Sequence, residues 1–331
     1  MSEAALSPMA GSAVRNTSRE KVLRHFEIGD RIFHIVTRSA AVAVLILLGG
    51  VIVSLVQGSL PALSRFGFGF LTSDAWNPVT ENFGAAPAIY GTLVTSSIAL
   101  LIAAPVGFGI AVFLTELCPY ELRRPIGIAV ELLAGVPSII YGIWGMFVFA
   151  PFLQAHVQPA LIATFADVPG LNRLFAGPPY GIGILTASLI LAIMILPLIS
   201  SISRDVFNTV PAVLKEAAYG IGCTRWEVTR SIVAPYTGVG LMGGVMLALG
   251  RALGETMAVT FVIGNAHKIG ASILGPGTTI SATIANEFTE ADGAIYTSSL
   301  ITLGLLLFVI TFIVLAISRL LLMRVEGKGA R

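Results

Sequence analysis

Two opposite charges lie inside one of the most apolar stretches of the chain. Residues 237–264 read TGVGLMGGVMLALGRALGETMAVTFVIG, and their charged side chains are Arg251 and Glu255. A spacing of four residues puts both on one face of a helix, close enough to pair. Placing one arginine at the centre of a lone membrane helix costs about 2.5–3.5 kcal/mol, so such a residue faces a partner or a watery path. On a path, a guanidinium can bind two oxygens of an anion at once.

This charge pair has two interpretations, and the sequence leaves both open. In the first, Arg251 faces a translocation path, and Glu255 holds the guanidinium while the path is empty and yields it to an anion. In the second, the two residues form a permanent ion pair that joins helices. Gly250 and Gly254 flank the arginine in a small-xxx-small pattern, which lets another helix approach closely.

The connection 204–236 carries the second constellation, and it reads RDVFNTVPAVLKEAAYGIGCTRWEVTRSIVAPY. Pro211 suits the first turn of a short helix, and Gly222 suits a left-handed helix end. Thr224, followed three residues later by Glu227, predicts a capping box at the start of a second helix. A helix–glycine–helix elbow, joined to membrane helices at both ends, predicts a lever on which a separate subunit can push.

The elements that position these residues are membrane helices. The chain has 331 residues, of which 55% are hydrophobic and 11% are charged, whereas a soluble domain carries about 25% charged residues. Most of the surface therefore does not face water. Apolar segments close to the roughly 20 residues that span a bilayer predict an all-α polytopic membrane protein. The predicted helices are 40–57, 90–115, 128–152, 180–202, 237–264 and 298–319.

The distribution of Lys and Arg predicts the orientation in the membrane. Sixteen of the 20 basic residues fall on the same side as the N-terminus, and Arg65, Arg173 and Lys268 fall on the other. Cytoplasmic connections carry the excess of positive charge, so both termini are predicted to be cytoplasmic. The predicted parts are a cytoplasmic segment 1–39, a transmembrane domain 40–323 that includes the connection 204–236, and a cytoplasmic tail 324–331.

The remaining polar residues indicate no reaction chemistry. The sequence holds no G-x-x-x-x-G-K-[ST] phosphate loop, H-E-x-x-H zinc motif or G-x-S-x-G nucleophile elbow. Cys118 and Cys223 are far apart and predict neither a disulfide nor a metal site. A net charge of +2 gives no basis for nucleic-acid binding. We therefore expect no catalytic residue, cofactor or metal, and expect energy to come from another chain. Glu131, in the third helix, either reaches water or pairs with a basic residue of a neighbouring helix.

The elbow resembles the EAA loop in the membrane subunits of ABC importers. The matching residues are Glu216, Ala217, Ala218, Gly222, Ile232 and Pro235, while the leucine of the family pattern is replaced here by Ala234. The resemblance implies the type I importer permease fold with six transmembrane helices. It also implies that the loop docks into a cleft on a separate ATP-hydrolysing subunit.

A second resemblance covers the chain from about residue 40 to its C-terminus. The sequence RALGET at 251–256 is similar to the signature of phosphate permease subunits of ABC importers, as are YGTLVTS at 90–96 and PSIIYGIWG at 137–145. It implies a pathway that includes Arg251, Glu255 and Thr256. A permease for molybdate or sulfate is the first alternative, and an ion-coupled secondary transporter is the second.

The same resemblance implies an assembly and a mechanism. The expected partners are a homologous second permease subunit, a dimer of ATP-binding subunits, an external phosphate-binding protein, phosphate itself and the lipid bilayer. The expected location is the bacterial inner membrane. Transport would follow alternating access, in which closure of the ATPase pair moves the elbow and opens the pathway outward.

Overall fold

The computed structural model describes residues 10–329, and the side chains of 29–320, 322 and 323. Within this part of the chain, six helices are long and apolar enough to cross a membrane. They are Gly29–Phe66, Ala86–Leu117, Ser138–Phe165, Ile184–Asn208, Arg225–Leu253 and Ala294–Leu320. The predicted all-α architecture with six spans is therefore confirmed, although several boundaries differ from the prediction.

Short elements connect and subdivide these spans. The α-helices are α1 (Ala10–Phe66), α2 (Gly69–Thr72), α3 (Ala86–Val112), α4 (Tyr120–Ala134), α5 (Ser138–Trp144), α6 (Ala150–Phe152), α7 (Gln158–Phe165), α8 (Leu171–Leu174), α9 (Ile184–Asn208), α10 (Ala212–Gly220), α11 (Arg225–Val228), α12 (Ala234–Leu253), α13 (Met257–Val262), α14 (Ile280–Glu287) and α15 (Ala294–Gly329). Strands β1 (Trp76–Asn77) and β2 (Asn82–Phe83) form an antiparallel hairpin in which Trp76 is opposite Phe83.

The chain divides into two compact units, residues 1–57 and residues 58–331. The described part of the first unit belongs to helix α1, and its side chains from residue 29 onward are mostly exposed. The second unit contains the other five spans and the apolar core. The predicted boundaries at 40 and 324 fall inside α1 and α15, and residues 1–9, 330 and 331 lie outside the described range.

Helix α9 is the centre of the second unit. Two thirds (67%) of its most apolar stretch is buried, against at most 28% in any other span. Leu191, Ile195 and Ile199 of α9 pack with alanines of α3 and α12. Small residues on both neighbours let the helix backbones come close, which is the usual means of helix association in lipid. The depth of a residue of α3 or α12 in the bundle can therefore be given by the α9 residue that it contacts.

The predicted third span, 128–152, is wrong in its placement. The chain forms two helices here, because Gly135–Pro137 interrupts it, and Pro137 precedes α5 instead of lying inside a helix. Glu131 belongs to α4, where its carboxylate accepts a hydrogen bond from the Arg204 guanidinium of α9. Glu131 therefore pairs with a neighbouring helix, and its side chain is also exposed at the surface of the chain.

Wide helical turns of the π type recur at four places in the described residues: Phe113–Leu117, Gly145–Phe149, Leu153–Val157 and Thr229–Val233. Each ends two residues before a proline, namely Pro119, Pro151, Pro159 and Pro235. Proline has no N–H with which to close the α-helical hydrogen bond to the preceding turn. Local widening re-satisfies the backbone groups that this leaves free in a membrane helix.

Candidate functional site

The fifth span ends at Leu253, near half the depth of the bundle, and a break separates it from the short helix α13. Helices α12 and α9 run antiparallel, with Gly240 against Val206 and Gly244 against Ile202. Ala252 packs into the same core cluster as Ile195, which lies near the midpoint of α9. Helix α12 ends immediately afterwards at Leu253. The continuous helix predicted over 237–264 is therefore wrong, and the break falls beside the predicted pathway residues.

Helix α13 resumes along the same neighbour after the break. Its residues Ala258 and Val262 pack with Ala187 and Ile190, which belong to the N-terminal half of α9. Gly142 of α5 closes the other side, since a Cβ atom there would lie 2.8 Å from the Phe261 ring and 3.1 Å from the Ala258 Cα. Packing on both sides fixes the position of α13, and with it the geometry of the break.

The break separates Arg251 from Glu255. Arg251 lies in the last turn of α12, whereas Glu255 lies beyond the helix end and accepts a 3.4 Å hydrogen bond from the Ala258 N–H. Thr256 donates to the Gly254 carbonyl at 3.3 Å. The ion pair expected from a spacing of four residues does not form, because that spacing places two side chains together only while the helix continues.

Arg251 is exposed on the surface of the single chain, at the depth where the bundle would meet lipid or another subunit. Among the described carboxylates, none lies within 4.0 Å of its guanidinium, which instead interacts electrostatically with Tyr141. An arginine at this depth is too costly to face hydrocarbon. The guanidinium therefore requires an anion, water or a carboxylate from another chain.

The elbow has the predicted helix–glycine–helix form. Helix α10 follows Pro211, and Gly222 adopts φ +92° after it, a left-handed conformation that costs a residue with a side chain about 1–2 kcal/mol. The capping box is present: the Glu227 N–H donates to Thr224 Oγ1 at 3.3 Å, and the Thr224 N–H donates to Glu227 Oε2 at 2.7 Å. Helix α11 then continues through the Thr229–Val233 turn into α12.

One side of the elbow packs on the bundle, and the other is uncovered. Ala218 joins Val228 and Phe207 in a buried cluster, while Glu216 and Ala217 are exposed. Large apolar side chains of the elbow are also exposed: Val213 is 73%, Ile221 83% and Trp226 67% exposed. Exposed apolar residues grouped in this way mark an interaction surface.

Sequence reasoning missed the break and Tyr141. A signal for the break was present, because Gly254 follows the apolar run of α12 and glycine is common just beyond a helix end. Tyr141 carries no comparable signal, since its proximity to Arg251 depends on how α5 packs against α13.

A polytopic bundle with an interrupted membrane helix, an arginine near half depth that pairs with no described carboxylate, and a two-helix elbow has the features of a membrane transport subunit. The sequence of residues 107–327 matches the family model described as binding-protein-dependent transport system inner membrane component, and the chain belongs to this family. It is a multi-pass membrane permease and not an enzyme in its own right.

Relatives agree over nearly the full length. The chain is 70% identical over 316 residues to the phosphate transport system permease protein PstC of Mesorhizobium japonicum, covering 96% of each chain. It is 55% identical to the protein of the same name in Pasteurella multocida, covering 96% of this chain and 99% of that one. It is 39% identical to phosphate transport system permease protein PstC 1 of Mycobacterium tuberculosis, with 81% and 85% covered.

Solved structures show the same fold at low sequence identity. The MetNI methionine ABC transporter in an inward-facing conformation aligns with a TM-score of 0.54 and 17% identity, covering 72% of this chain and 94% of that chain. A bacterial alginate ABC transporter aligns with a TM-score of 0.55 and 16% identity, covering 92% and 94%. The chain therefore has the type I ABC importer permease fold.

Proposed function

We propose that this chain is the permease subunit of an ATP-driven phosphate importer in a bacterial inner membrane, with both termini in the cytoplasm. The substrate is supported by the relatives, which are phosphate permeases at up to 70% identity. The orientation is supported by the sixteen basic residues on the side of the N-terminus.

Arg251 carries the proposal for the pathway. Its guanidinium lies near half depth beside a helix break, exposed and without a described carboxylate partner. Many secondary transporters bind substrates at such breaks near the bilayer midplane, and the same physical reason, polar backbone groups freed at a helix break, applies here. A guanidinium can donate two parallel hydrogen bonds to two phosphate oxygens. Glu255 and Thr256 line the break beside it, where the Glu255 carboxylate repels a second anion and so favours release.

The elbow is the proposed docking site for the ATP-hydrolysing subunits. Glu216 and Ala217 are exposed, Ala218 is buried behind them, Gly222 forms the left-handed turn between α10 and α11, and Pro235 lies in the first turn of α12. Closure of the ATPase pair would push the elbow, and α9 and α12, which leave from its two ends, would carry the movement to the break. The other proposed subunits of the importer are a homologous second permease and an external phosphate-binding protein.

The test is ATP-dependent uptake of labelled phosphate into proteoliposomes. These contain the chain with its candidate second permease and ATPase, with binding protein outside and with sulfate or molybdate as competitors. Arg251→Ala is compared with Arg65→Ala, whose guanidinium instead pairs with Glu81 and is 43% exposed. We expect uptake to need ATP, to resist the competitors, to be lost in Arg251→Ala and to persist in Arg65→Ala.

Each other outcome has a definite meaning. Uptake without ATP would overturn the assignment as an ATP-driven importer. Uptake of sulfate or molybdate in place of phosphate would keep that assignment and change the substrate. If Arg251→Ala prevents co-purification with the second permease, the guanidinium joins the two subunits and does not bind the anion.

A further inference from the structure

The cytoplasmic elbow is bonded to the end of the second span, which continues α3. The helices that flank the elbow in sequence are α9 and α12, so this contact is an additional one. The Lys215 ammonium of α10 donates to the Glu116 carboxylate at 2.6 Å, and the two side chains are only 19% and 9% exposed. Glu116 lies in the Phe113–Leu117 turn that ends the second span. A nearly buried ion pair is weak evidence for stability, because desolvation offsets much of the attraction. The role of the Lys215–Glu116 pair is instead to favour one arrangement of α10 relative to the Phe113–Leu117 turn.

The backbone of the same turn holds the second arm of the elbow. The Arg225 guanidinium at the start of α11 donates to the Glu116 carbonyl at 3.1 Å, and Arg123 of α4 donates to the Thr115 carbonyl at 2.6 Å. The Thr115 carbonyl is free to accept because its α-helical donor would be the N–H of Pro119, which proline lacks. The Phe113–Leu117 turn, which continues α3, is thus bonded to both arms of the elbow and to α4.

Electrostatics agrees with this arrangement. Burial raises the pKa of the Tyr219 hydroxyl on α10, the Glu116 carboxylate raises it further, and Arg225 lowers it. Lys215, Tyr219 and Arg225 of the elbow thus all interact with Glu116 or lie close to it, and two of them are cations. Lys215 directly precedes Glu216, so the residue beside the proposed ATPase contact is the one bonded to α3.

At its other end, α3 is bonded to the segment that follows the broken helix. The Thr92 hydroxyl accepts a 3.0 Å hydrogen bond from the N–H of Ile280, the first residue of α14. Gly91 lies so close to Thr278 that an added Cβ would be 1.8 Å from its carbonyl oxygen. With 27 residues, α3 is about 40 Å long. It connects the elbow to the opposite end of the bundle.

We propose that Glu116 is a positioning residue that couples the elbow to α3, so that movement of the elbow passes along α3 to the Thr278–Ile280 segment. This inference deepens the proposed function and rests on it. Helices α9 and α12 move the half-depth break, and α3 moves the far end at the same time. Opening at one end and closing at the other then become one event, as alternating access requires.

The first test is the number of phosphate ions transported per ATP hydrolysed. Glu116→Gln and Lys215→Glu are compared with the double variant Glu116→Lys/Lys215→Glu, and with Glu81→Gln, which weakens the exposed Arg65–Glu81 pair at the opposite end. Coupling between sites typically changes equilibria about 5- to 150-fold. We expect the transport ratio to fall about tenfold in both single variants, to recover in the double variant and to stay constant in Glu81→Gln.

The second test does not depend on the substrate. Phe288 is exposed at the end of α14, and both native cysteines lie at the elbow end of the bundle. In the Phe288→Cys variant, a membrane-impermeant maleimide added from the outside therefore reports on the far end alone. We expect an ATP analogue to change the labelling rate, and we expect Glu116→Gln and Thr92→Val each to abolish that change while the ATPase still binds.

The results separate this inference from the proposed function. If Phe288→Cys with native Glu116 shows the ATP-dependent labelling change without phosphate uptake, the proposed substrate is wrong and the coupling through Glu116 is retained. If the labelling change survives in Glu116→Gln, or if uptake and hydrolysis fall in equal proportion, Glu116 is only structural and the proposal is overturned. If Glu116→Gln does not assemble, Lys215→Gln on the elbow decides by the same two readouts.

Discussion

The indole ring of Trp76 stacks on the imidazole of His267, with ring centroids 5.0 Å apart and planes 5° from parallel. Both rings bind the carboxylate of Glu287: Trp76 donates its indole N–H, and His267 Nε2 lies 2.9 Å from Glu287 Oε1. The Tyr296 hydroxyl donates to the same carboxylate at 2.7 Å. One carboxylate thereby joins the β-hairpin, the segment after α13, α14 and α15 at the end opposite the elbow.

Replacing Glu287 should loosen this end of the bundle. In Glu287→Ala, three donors that are partly buried lose a charged acceptor, and hydrogen bonds to charged groups contribute about 1.5–3 kcal/mol each at most. We expect a lower Tm in detergent, with Trp76 fluorescence shifted as its ring leaves His267. Glu290→Ala, at an exposed position of the same region, should change neither quantity. An unchanged Tm in Glu287→Ala would show that the network contributes nothing to stability.

The same carboxylate predicts a pH dependence. Burial raises the pKa of Glu287, but hydrogen bonds from His267, Tyr296 and Trp76 outweigh it, and the pKa lies below its ordinary value of 4.5. The stabilisation is therefore fully present above pH 4.5 and is lost as the pH falls through the lowered pKa. The Tm difference between wild type and Glu287→Gln should shrink as the pH falls below 4.5. A difference that grows as the pH falls below 4.5 would contradict the sign.

Gly222 should resist substitution because of its backbone. Nothing lies within 4 Å of an added Cβ at Gly222 or at Gly220, and only Gly222 has a positive φ. Gly222→Ala should cost about 1–2 kcal/mol, whereas Gly220→Ala, at the end of α10, should be neutral or slightly stabilising. Thermal unfolding and ATPase co-purification measure both effects. Equal effects of the two substitutions would show that the left-handed conformation does not constrain the elbow.

Gly91 and Gly109 provide a matched pair on α3. An added Cβ at Gly91 would overlap the Thr278 carbonyl, whereas nothing lies within 4 Å of one at Gly109. Gly91→Ala should therefore displace the Thr278–Ile280 segment and abolish uptake in proteoliposomes, while Gly109→Ala should keep wild-type uptake. Normal transport by Gly91→Ala would mean that α3 and this segment separate freely during the cycle, which would also weaken the coupling inferred through Thr92.

Much of the architecture was predictable from local signals. The apolar segments predicted six spans, because backbone groups in lipid must be satisfied within a helix. Pro211, Gly222 and the Thr224–Glu227 capping box predicted the elbow, because each acts through its own backbone or that of its near neighbours. The four prolines that follow the wide turns are equally visible in the sequence.

Tertiary structure decided the rest. The sequence by itself determined that Arg251 lies in an apolar span, but only packing of α13 against α5 and α9 showed that the helix breaks and leaves Glu255 without its expected partner. Likewise, Glu116 and Lys215 are 99 residues apart, and no local pattern relates them. Helix periodicity and capping depend on residues within about one turn of each other, whereas contacts between helices depend on the whole bundle.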